Sequence, residues 1–354
     1  MKHGIASVEE IAIFDEIIDV RTPAEFAEDH IPGSINCPVL DNDQRVEIGT
    51  LYKQVSPFDA KKLGAAYVSE NIAQHLRKTF FDRPRNWRPL IACWRGGERS
   101  GAMTHVLRRI GWNAFQLEGG YKAYRRHVIA RLETLPAELQ FVVVCGATGS
   151  GKSRILQALA RQDQQVLDLE ALACHKGSVL GVLPDAPQPS QKRFETRLLE
   201  ALAACNPERP IYVEAESRKI GQLFIPTALL ECIRASHCLS IVAPFDARVE
   251  FLLRDYDYFL VAPDWLNSRL DALQDLHSRE TLNHWKQLAN HGNWRELVAE
   301  LLRRHYDPLY QRSQHRNFSG YQAPQAFTPM SLDPDSIDAL ARQIIDRQAA
   351  ESHA

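Results

Sequence analysis

Two short stretches of this chain carry residue types that do chemistry. The first is Cys93-Trp94-Arg95-Gly96-Gly97-Glu98-Arg99-Ser100. A thiol is a nucleophile only as its thiolate, and its free pKa is about 8.5. Cys93 ends the apolar run Pro89–Ala92 and opens a loop leading into a helical pattern near Arg99. Inward-facing N–H groups, the positive end of that helix and the guanidinium groups of Arg95 and Arg99 would all favour a thiolate and an anionic partner. Gly96 and Gly97 let the backbone fold tightly around it. The octet alone leaves a second reading open, a half-buried structural cysteine. Cys37, in a stretch without charged support, reads as structural.

The second stretch, Gly146-Ala147-Thr148-Gly149-Ser150-Gly151-Lys152-Ser153, fits the pattern G-x-x-x-x-G-K-[ST] between an apolar strand and a helix. Backbone N–H groups of Gly146, Gly149, Ser150 and Gly151 would wrap phosphate oxygens. Lys152 would neutralise the outer phosphate and Ser153 would ligate Mg²⁺. The usual acidic partner is an aspartate at a strand end. Here Pro210–Ser217 offers Glu214 and Glu216 instead. Glu214 with Ser153 is the expected Mg²⁺ site, against the alternative that the two glutamates cap the next element or pair with Arg218 and Lys219. Asp168 serves either the metal, a polar substrate group or a helix cap. Lys192 and Arg193 follow Ser190 in a first helical turn, where cations oppose the dipole; they face either an anion or solvent. No guanine-reading N-K-x-D is found, so the loop fixes phosphate and not a nucleoside. A diphosphate on a non-nucleotide carrier satisfies it equally.

Stepping outward, strands and helices alternate through the first third, as in an α/β layer with a parallel sheet. Strands are expected at Glu16–Arg21, Pro89–Cys93 and Asn113–Gly120, and helices at Phe58–Phe80, Arg99–Gly111 and Tyr121–Leu135. Pro136–Gln140 reads as a boundary, giving domains 1–135 and 136–354. Alternation resumes at Phe141, with strands at Gln165–Glu170, Pro210–Glu216 and Cys238–Pro244. From Asp246 onward the pattern is helical with no further strand.

The chain has 354 residues and a formal net charge of -2, so two domains are expected and no global basic field draws nucleic acid. The seven cysteines form no CxxC pair, which argues against a disulfide framework or a zinc site. Glu9 and Glu10 precede any long apolar core, unlike a signal peptide, and no apolar run approaches the ~20 residues of a membrane helix. A reducing cytoplasm is the expected location, with no membrane partner.

The first region resembles a rhodanese domain over roughly residues 7–132. Asp19-Val20-Arg21, His30–Asn36 (HIPGSIN), the Cys93 loop and Leu117–Tyr124 (LEGGYKAY) carry the resemblance. It implies that Cys93 carries a chalcogen as a persulfide-like adduct. The span from Cys93 to Arg99 is expected to be a residue shorter than in dual-specificity phosphatases, which would suit carriage over phosphate-monoester hydrolysis. With the P-loop region added, the whole chain resembles the tRNA 2-selenouridine synthases, through the same loops plus Asp168-Leu169-Glu170, His175–Ser178 and Gln188–Glu195.

That family resemblance implies a rhodanese-like domain followed by a P-loop α/β domain whose helical part runs from about 246 to 354. It implies two reactions on the wobble 2-thiouridine of tRNA: geranylation of the sulfur by geranyl diphosphate, then replacement of the S-geranyl group by selenium from selenophosphate. Cys93 is expected to attack selenium with Arg95 and Arg99 holding the phosphate, and the P-loop to hold the prenyl diphosphate. No tightly bound cofactor is expected; Mg²⁺ is the candidate ion, and selenophosphate and geranyl diphosphate enter as substrates. Expected partners are tRNA and selenophosphate synthetase.

Two basic stretches with interleaved aromatics, Arg77–Arg88 and Arg303–Arg316, are candidate tRNA contacts, against the plainer reading of a solvated basic face over core aromatics. Two other functions compete. One is a rhodanese-type sulfurtransferase fused to an ATP-dependent P-loop kinase or ATPase, in which ATP turnover depends on Lys152. The other is a binding module with a dispensable Cys93.

Overall fold

The computed structural model describes residues 4–184, 186–310, 312 and 324–352. It divides into two units, Met1–Arg131 with Ser190–Thr196, and Leu132–Pro189 with Arg197–Ala354.

Unit 1 contains a five-stranded parallel sheet. Its strands are β1 (Ile5–Ala6), β2 (Glu16–Asp19), β3 (Ile35–Asn36), β4 (Pro89–Ala92) and β5 (Phe115–Leu117), in the order β1-β5-β4-β2-β3. All four residues of β4 are buried, as a central parallel strand requires. Among its described residues are the helices α1 (Pro23–Glu28), α2 (Asn42–Gln54), α3 (Pro57–Lys78), α4 (Glu98–Ile110) and α5 (Gly120–Thr134). Helix α4 buries Met103, Thr104 and Leu107 at helical spacing and stops at Gly111, whose φ of +113° a larger residue resists. Met103 and Leu107 meet Ile18, Val20, Ile91 and Trp87 in the core beneath the Cys93 loop.

Unit 2 contains a second five-stranded parallel sheet. Strand β6 (Phe141–Gly146) is buried along its whole length and leads through residues 147–151 into α6 (Lys152–Arg161). Next come β7 (Gln165–Leu167), α7 (Leu169–Ala173), α8 (Gln191–Ala203, of which the residues up to Thr196 count with unit 1) and β8 (Ile211–Glu214), then a small hairpin of β9 (Lys219–Ile220) with β10 (Leu223–Phe224). Helix α9 (Thr227–Ala235) and β11 (His237–Ile241) follow. The helical part holds α10 (Phe245–Asp255), α11 (Asp257–Leu260), α12 (Pro263–Leu270), α13 (Arg279–Asn290) and α14 (Trp294–Leu301), which runs into a π-helical turn at Leu302–Tyr306. Its core gathers around the fully buried Trp285.

Two sequence expectations are corrected here. The strand expected over Gln165–Glu170 ends at Leu167, because Asp168 accepts from the Ala171 N–H at 2.8 Å and starts α7. A strand does occur after Asp246: β12 (Gln325–Phe327) pairs in parallel with β11 and gives the order β12-β11-β6-β8-β7. Helix α15 (Pro334–Ser352) then packs Ile337, Leu340, Ala341 and Ile344 into the core around α6. No helix among the described residues is long and apolar enough to cross a membrane.

Candidate functional site

The Cys93 side chain sits at the end of β4, 3% exposed. Its Sγ accepts from the Gly97 N–H at 3.3 Å and from the Ser100 hydroxyl at 3.0 Å. Ser100 Oγ in turn accepts from the Gln116 amide at 2.8 Å. Gly97 is the N-cap of α4, so the positive end of that helix lies at the sulfur. These are the donors that a thiolate or an adjacent anion needs.

The loop is held from behind by the LEGG turn. The first amides of α5 bind its carbonyls, Tyr121 N to Cys93 O at 2.7 Å and Lys122 N to Trp94 O at 2.9 Å. With those carbonyls held from behind, the Gly97 N–H is the loop amide that binds the sulfur. Gly96 and Gly120 have φ of +66° and +58°, and a Cβ on either would overlap the facing backbone. The other rhodanese-like motifs buttress this frame. Arg21 forks onto Asp19 with both side chains buried, and its guanidinium lies 3.8 Å from the Tyr121 ring centroid. Tyr121 donates to Asp29 at 2.7 Å, and Asn36 donates to the carbonyls of Asp19 and Arg21. Removing one member of such a buried pair costs about 3–5 kcal/mol.

The two loop arginines differ. Arg99 forks onto Glu25. Burial works against the Glu25 carboxylate, but the Arg99 hydrogen bond and charge outweigh it and hold its pKa down at about 2. Arg95 is exposed beside the opening over Cys93. A third cation lines that opening, Arg45 from α2, which no sequence signal connects to Cys93. One sequence expectation fails on counting: five residues, Trp94 to Glu98, separate Cys93 from Arg99. The span is not short, and loop length gives no argument against chemistry at phosphorus.

In unit 2 the loop after β6 has the form expected of a phosphate cradle. Gly149 and Gly151 have φ of +81° and +80°, and Gly151 caps α6. A Cβ on Gly149 would press on Leu252 and the Arg248 carbonyl. Arg248 Nε binds the Thr148 carbonyl at 2.8 Å while its other nitrogens fork onto Asp307. Lys152 Nζ lies 2.8 Å from the Gly146 carbonyl, and Ser150 Oγ is buried without a partner among the described residues. Gly146, Thr148, Gly149, Gly151 and Lys152 line one cavity together with Lys176, whose ammonium binds the Asp255 carboxylate at 2.6 Å and lies 4.1 Å from the Tyr256 ring centroid.

Acidic groups converge beside Ser153. Its hydroxyl donates to Glu170 Oε2 at 2.6 Å. Glu214, 1% exposed, instead accepts from the Glu170 N–H at 2.9 Å, with its second oxygen buried and unpartnered among the described residues. Glu214 thus holds the backbone of Glu170, while the Ser153 hydroxyl is taken by the Glu170 carboxylate. The Glu170 and Glu216 carboxylates both approach Gly177, within 2.8 and 2.7 Å of where a Cβ would sit. Burial, then repulsion from Glu170, pushes Glu216 up to about 8, and burial also raises Glu170 and Asp168. Among the described residues no cluster of three or more His, Cys, Asp or Glu forms a metal cage. Mg²⁺ needs none, since one or two carboxylates plus phosphate and water commonly hold it. The hard oxygens of Ser153, Glu170 and Glu216 fit that ion.

Comparison with known proteins agrees with this pairing of sites. Residues 6–127 match the model of the rhodanese-like domain. Residues 139–322, more than half of the chain, match the model of the tRNA 2-selenouridine synthase AAA domain. This chain belongs to the tRNA 2-selenouridine synthase family. It is 32% identical to the tRNA 2-selenouridine synthase of Alcanivorax borkumensis over 83% of this chain and 88% of that one. It is 35% identical to that of Nitrosomonas europaea over 72% of this chain, but over 66% of the relative's own length, just short of two thirds. Among solved structures it is similar to the N-terminal domain of a putative ATP/GTP binding protein from Clostridium difficile 630, at 39% identity over 35% of this chain and 98% of that one, with a TM-score of 0.32.

For this selenouridine synthase family member, the structure sorts the sequence candidates. Cys93, Arg95 and Arg99 meet at one loop, and Gly146, Gly149, Ser150, Gly151, Lys152 and Ser153 at another. Asp168 is a helix cap. Lys192 pairs with Glu28 inside unit 1, at 2.7 Å. Sequence reasoning missed Glu170 because it was read as strand. In the basic stretch Arg77–Arg88, Phe80 and Trp87 are core residues while Phe81 is 80% exposed. Arg83 pairs with Glu16, and Arg77, Lys78 and Arg85 are exposed. In Arg303–Arg316, residues 311 and 313–316 lie outside the described residues, and Tyr306 and Tyr310 line the phosphate-loop cavity.

Proposed function

We propose that the protein converts the 2-thiouridine of tRNA into 2-selenouridine in two stages, one at each loop. The observation carrying this reading is the Cys93 sulfur bracketed by the Gly97 N–H and Ser100 hydroxyl, in a chain of this family that also keeps an intact P-loop.

In the first stage the P-loop amides and Lys152 hold the diphosphate of geranyl diphosphate. Ser153 and Glu170 would hold Mg²⁺, which when bound would neutralise charge on the departing diphosphate. The allylic C–O bond breaks with its electron pair going to the diphosphate, and a lone pair of the thiocarbonyl sulfur forms the new C–S bond. Stabilising that leaving charge is the protein's main contribution. The alkylated sulfur can then leave as geranylthiol.

In the second stage the electron balance favours a different first step from a selenopersulfide. Thiolate attack on selenium would leave the bonding pair on phosphorus, giving phosphite, and the S–Se bond would later need a reductant. Attack of Cys93 on phosphorus closes with water alone. The S–P bond forms, the P–Se bond breaks and selenium departs as selenide. Selenide adds to C2, geranylthiol leaves with a proton, and water cleaves the S–P bond to release phosphate. Arg95 at the opening neutralises the phosphoryl oxygens, and Arg99 positions the loop. This is covalent catalysis by an activated thiol. Selenophosphate synthetase, as the source of selenophosphate, is the proposed partner.

The test is separation of function in tRNA nucleosides. Cys93→Ser is expected to accumulate S-geranyl-2-thiouridine without selenouridine, and Lys152→Ala to block geranylation. Normal selenouridine formation by Cys93→Ser would overturn the reading. Lys152-dependent ATP turnover without geranylation would favour the kinase or ATPase alternative.

A further inference from the structure

Beside the phosphate loop, the helical part of unit 2 leaves a second cavity between α10, α11, α12 and α14. We propose that this cavity binds the hydrocarbon tail of the diphosphate ligand held at the P-loop. The inference rests on the prenyl-donor reading above and adds where the tail lies.

Three observations carry it. The cavity shares its wall with the phosphate-loop cavity: Thr148, Ser178, Leu252, Tyr256 and Tyr306 line both. The two spaces are therefore neighbours along these five residues, with Lys152 and Ser153 lining the phosphate side. The far end is lined by Leu253, Phe259, Leu266, Trp294, Leu297 and Val298. The hydroxyls of the lining are confined to the shared rim, on Thr148, Ser178, Tyr256 and Tyr306. A ribose and base placed in the deep part would lose their hydrogen bonds to water without replacement, a loss of about 1–3 kcal/mol per group by mutational measures. An alkyl chain loses nothing there and gains by leaving water.

The third observation is local backbone. Helix α14 ends in the π-helical turn Leu302–Tyr306, a widened geometry that is rare and frequent at functional sites. Both ends of that turn, Leu302 and Tyr306, are on the cavity wall. Ordinary cores close such spaces by interdigitation. Here Leu252 is fixed against Gly149 of the phosphate loop, so the apolar wall and the phosphate cradle are built on one contact.

The experiment is equilibrium binding to the full-length protein with Mg²⁺, using geranyl diphosphate, inorganic pyrophosphate and ATP as probes. Burial of two methylene groups is worth about tenfold in affinity. Geranyl diphosphate is therefore expected to bind at least about tenfold tighter than pyrophosphate. Val298→Trp and Leu253→Trp, at half-buried wall positions, are expected to erase that gain while leaving pyrophosphate affinity unchanged, which also reports an intact fold. Equal affinity of the wild-type protein for geranyl diphosphate and pyrophosphate would overturn the tail site and leave the diphosphate reading standing. A tail gain that survives both substitutions would place the tail elsewhere and likewise overturn it. Binding of ATP with neither diphosphate bound would overturn the prenyl-donor reading itself.

Discussion

Arg99 and Glu25 form a forked ion pair, Nη1 to Oε2 at 2.7 Å and Nη2 to Oε1 at 3.2 Å. The same Oε2 accepts the Thr22 N–H at 3.0 Å, so the capping box of α1 and the Cys93 loop share one carboxylate. An arginine so held cannot swing freely toward a ligand. It fixes the first turn of α4, whose N-cap amide binds the sulfur.

This pairing has a pH signature. The Glu25 carboxyl is depressed from an ordinary 4.5 to about 2. Its contribution to stability is therefore complete above the ordinary value and is lost as pH falls through about 2. Urea unfolding of Glu25→Gln between about pH 5 and about pH 2 is expected to show a shallower acid limb than the wild type. Selenation is expected to fall by about ten- to a hundredfold, the order for a misplaced catalytic loop. An unchanged acid limb would remove Glu25 from this role.

Gly120→Ala tests the clasp behind the loop. With φ of +58° and no room for a Cβ against the Cys93 carbonyl and Gly96 N, the variant must deform the loop. A loss of about 1–3 kcal/mol is expected from backbone strain alone, measured by denaturant midpoint, with selenation lost and geranylation kept. Gly97→Ala is the control, since its Cβ meets nothing within 4 Å. Equal behaviour of the two variants would show that the clasp does not shape the site.

The exposed cations Arg77 and Arg85 and the exposed Phe81 define the tRNA contact proposed for unit 1. In Arg77→Glu with Arg85→Glu, tRNA binding is expected to weaken, and the slope of log affinity against log salt to flatten by about 1–2. Phe81→Ala is expected to cost about 1–3 kcal/mol if an unpaired base stacks there, without altering the salt slope. Retained affinity and slope in the double variant would move the tRNA surface elsewhere.

Both loops were legible in the sequence because their chemistry is local. Glycines at positive φ, a strand before and a helix after, leave marks within a dozen residues. What lay further apart was not legible. Strand β12 is three residues long and joins the sheet only through β11, more than eighty residues earlier, too short for any alternation to show. Glu170 was hidden by a strand reading that continued past Leu167, and Glu214 stood out instead because it ends an apolar strand. Arg45 lies on α2, a helix without a fully buried residue and hence without a strong period. It reaches Cys93 only through the tertiary fold.

The near-complete burial of Cys93 sets the direction of traffic at its sulfur. Its sulfur is bound by Gly97 and Ser100, and it lines an opening where Arg45 and Arg95 stand. Selenide released at this cysteine in the proposed second stage would pass that pair of cations on its way out.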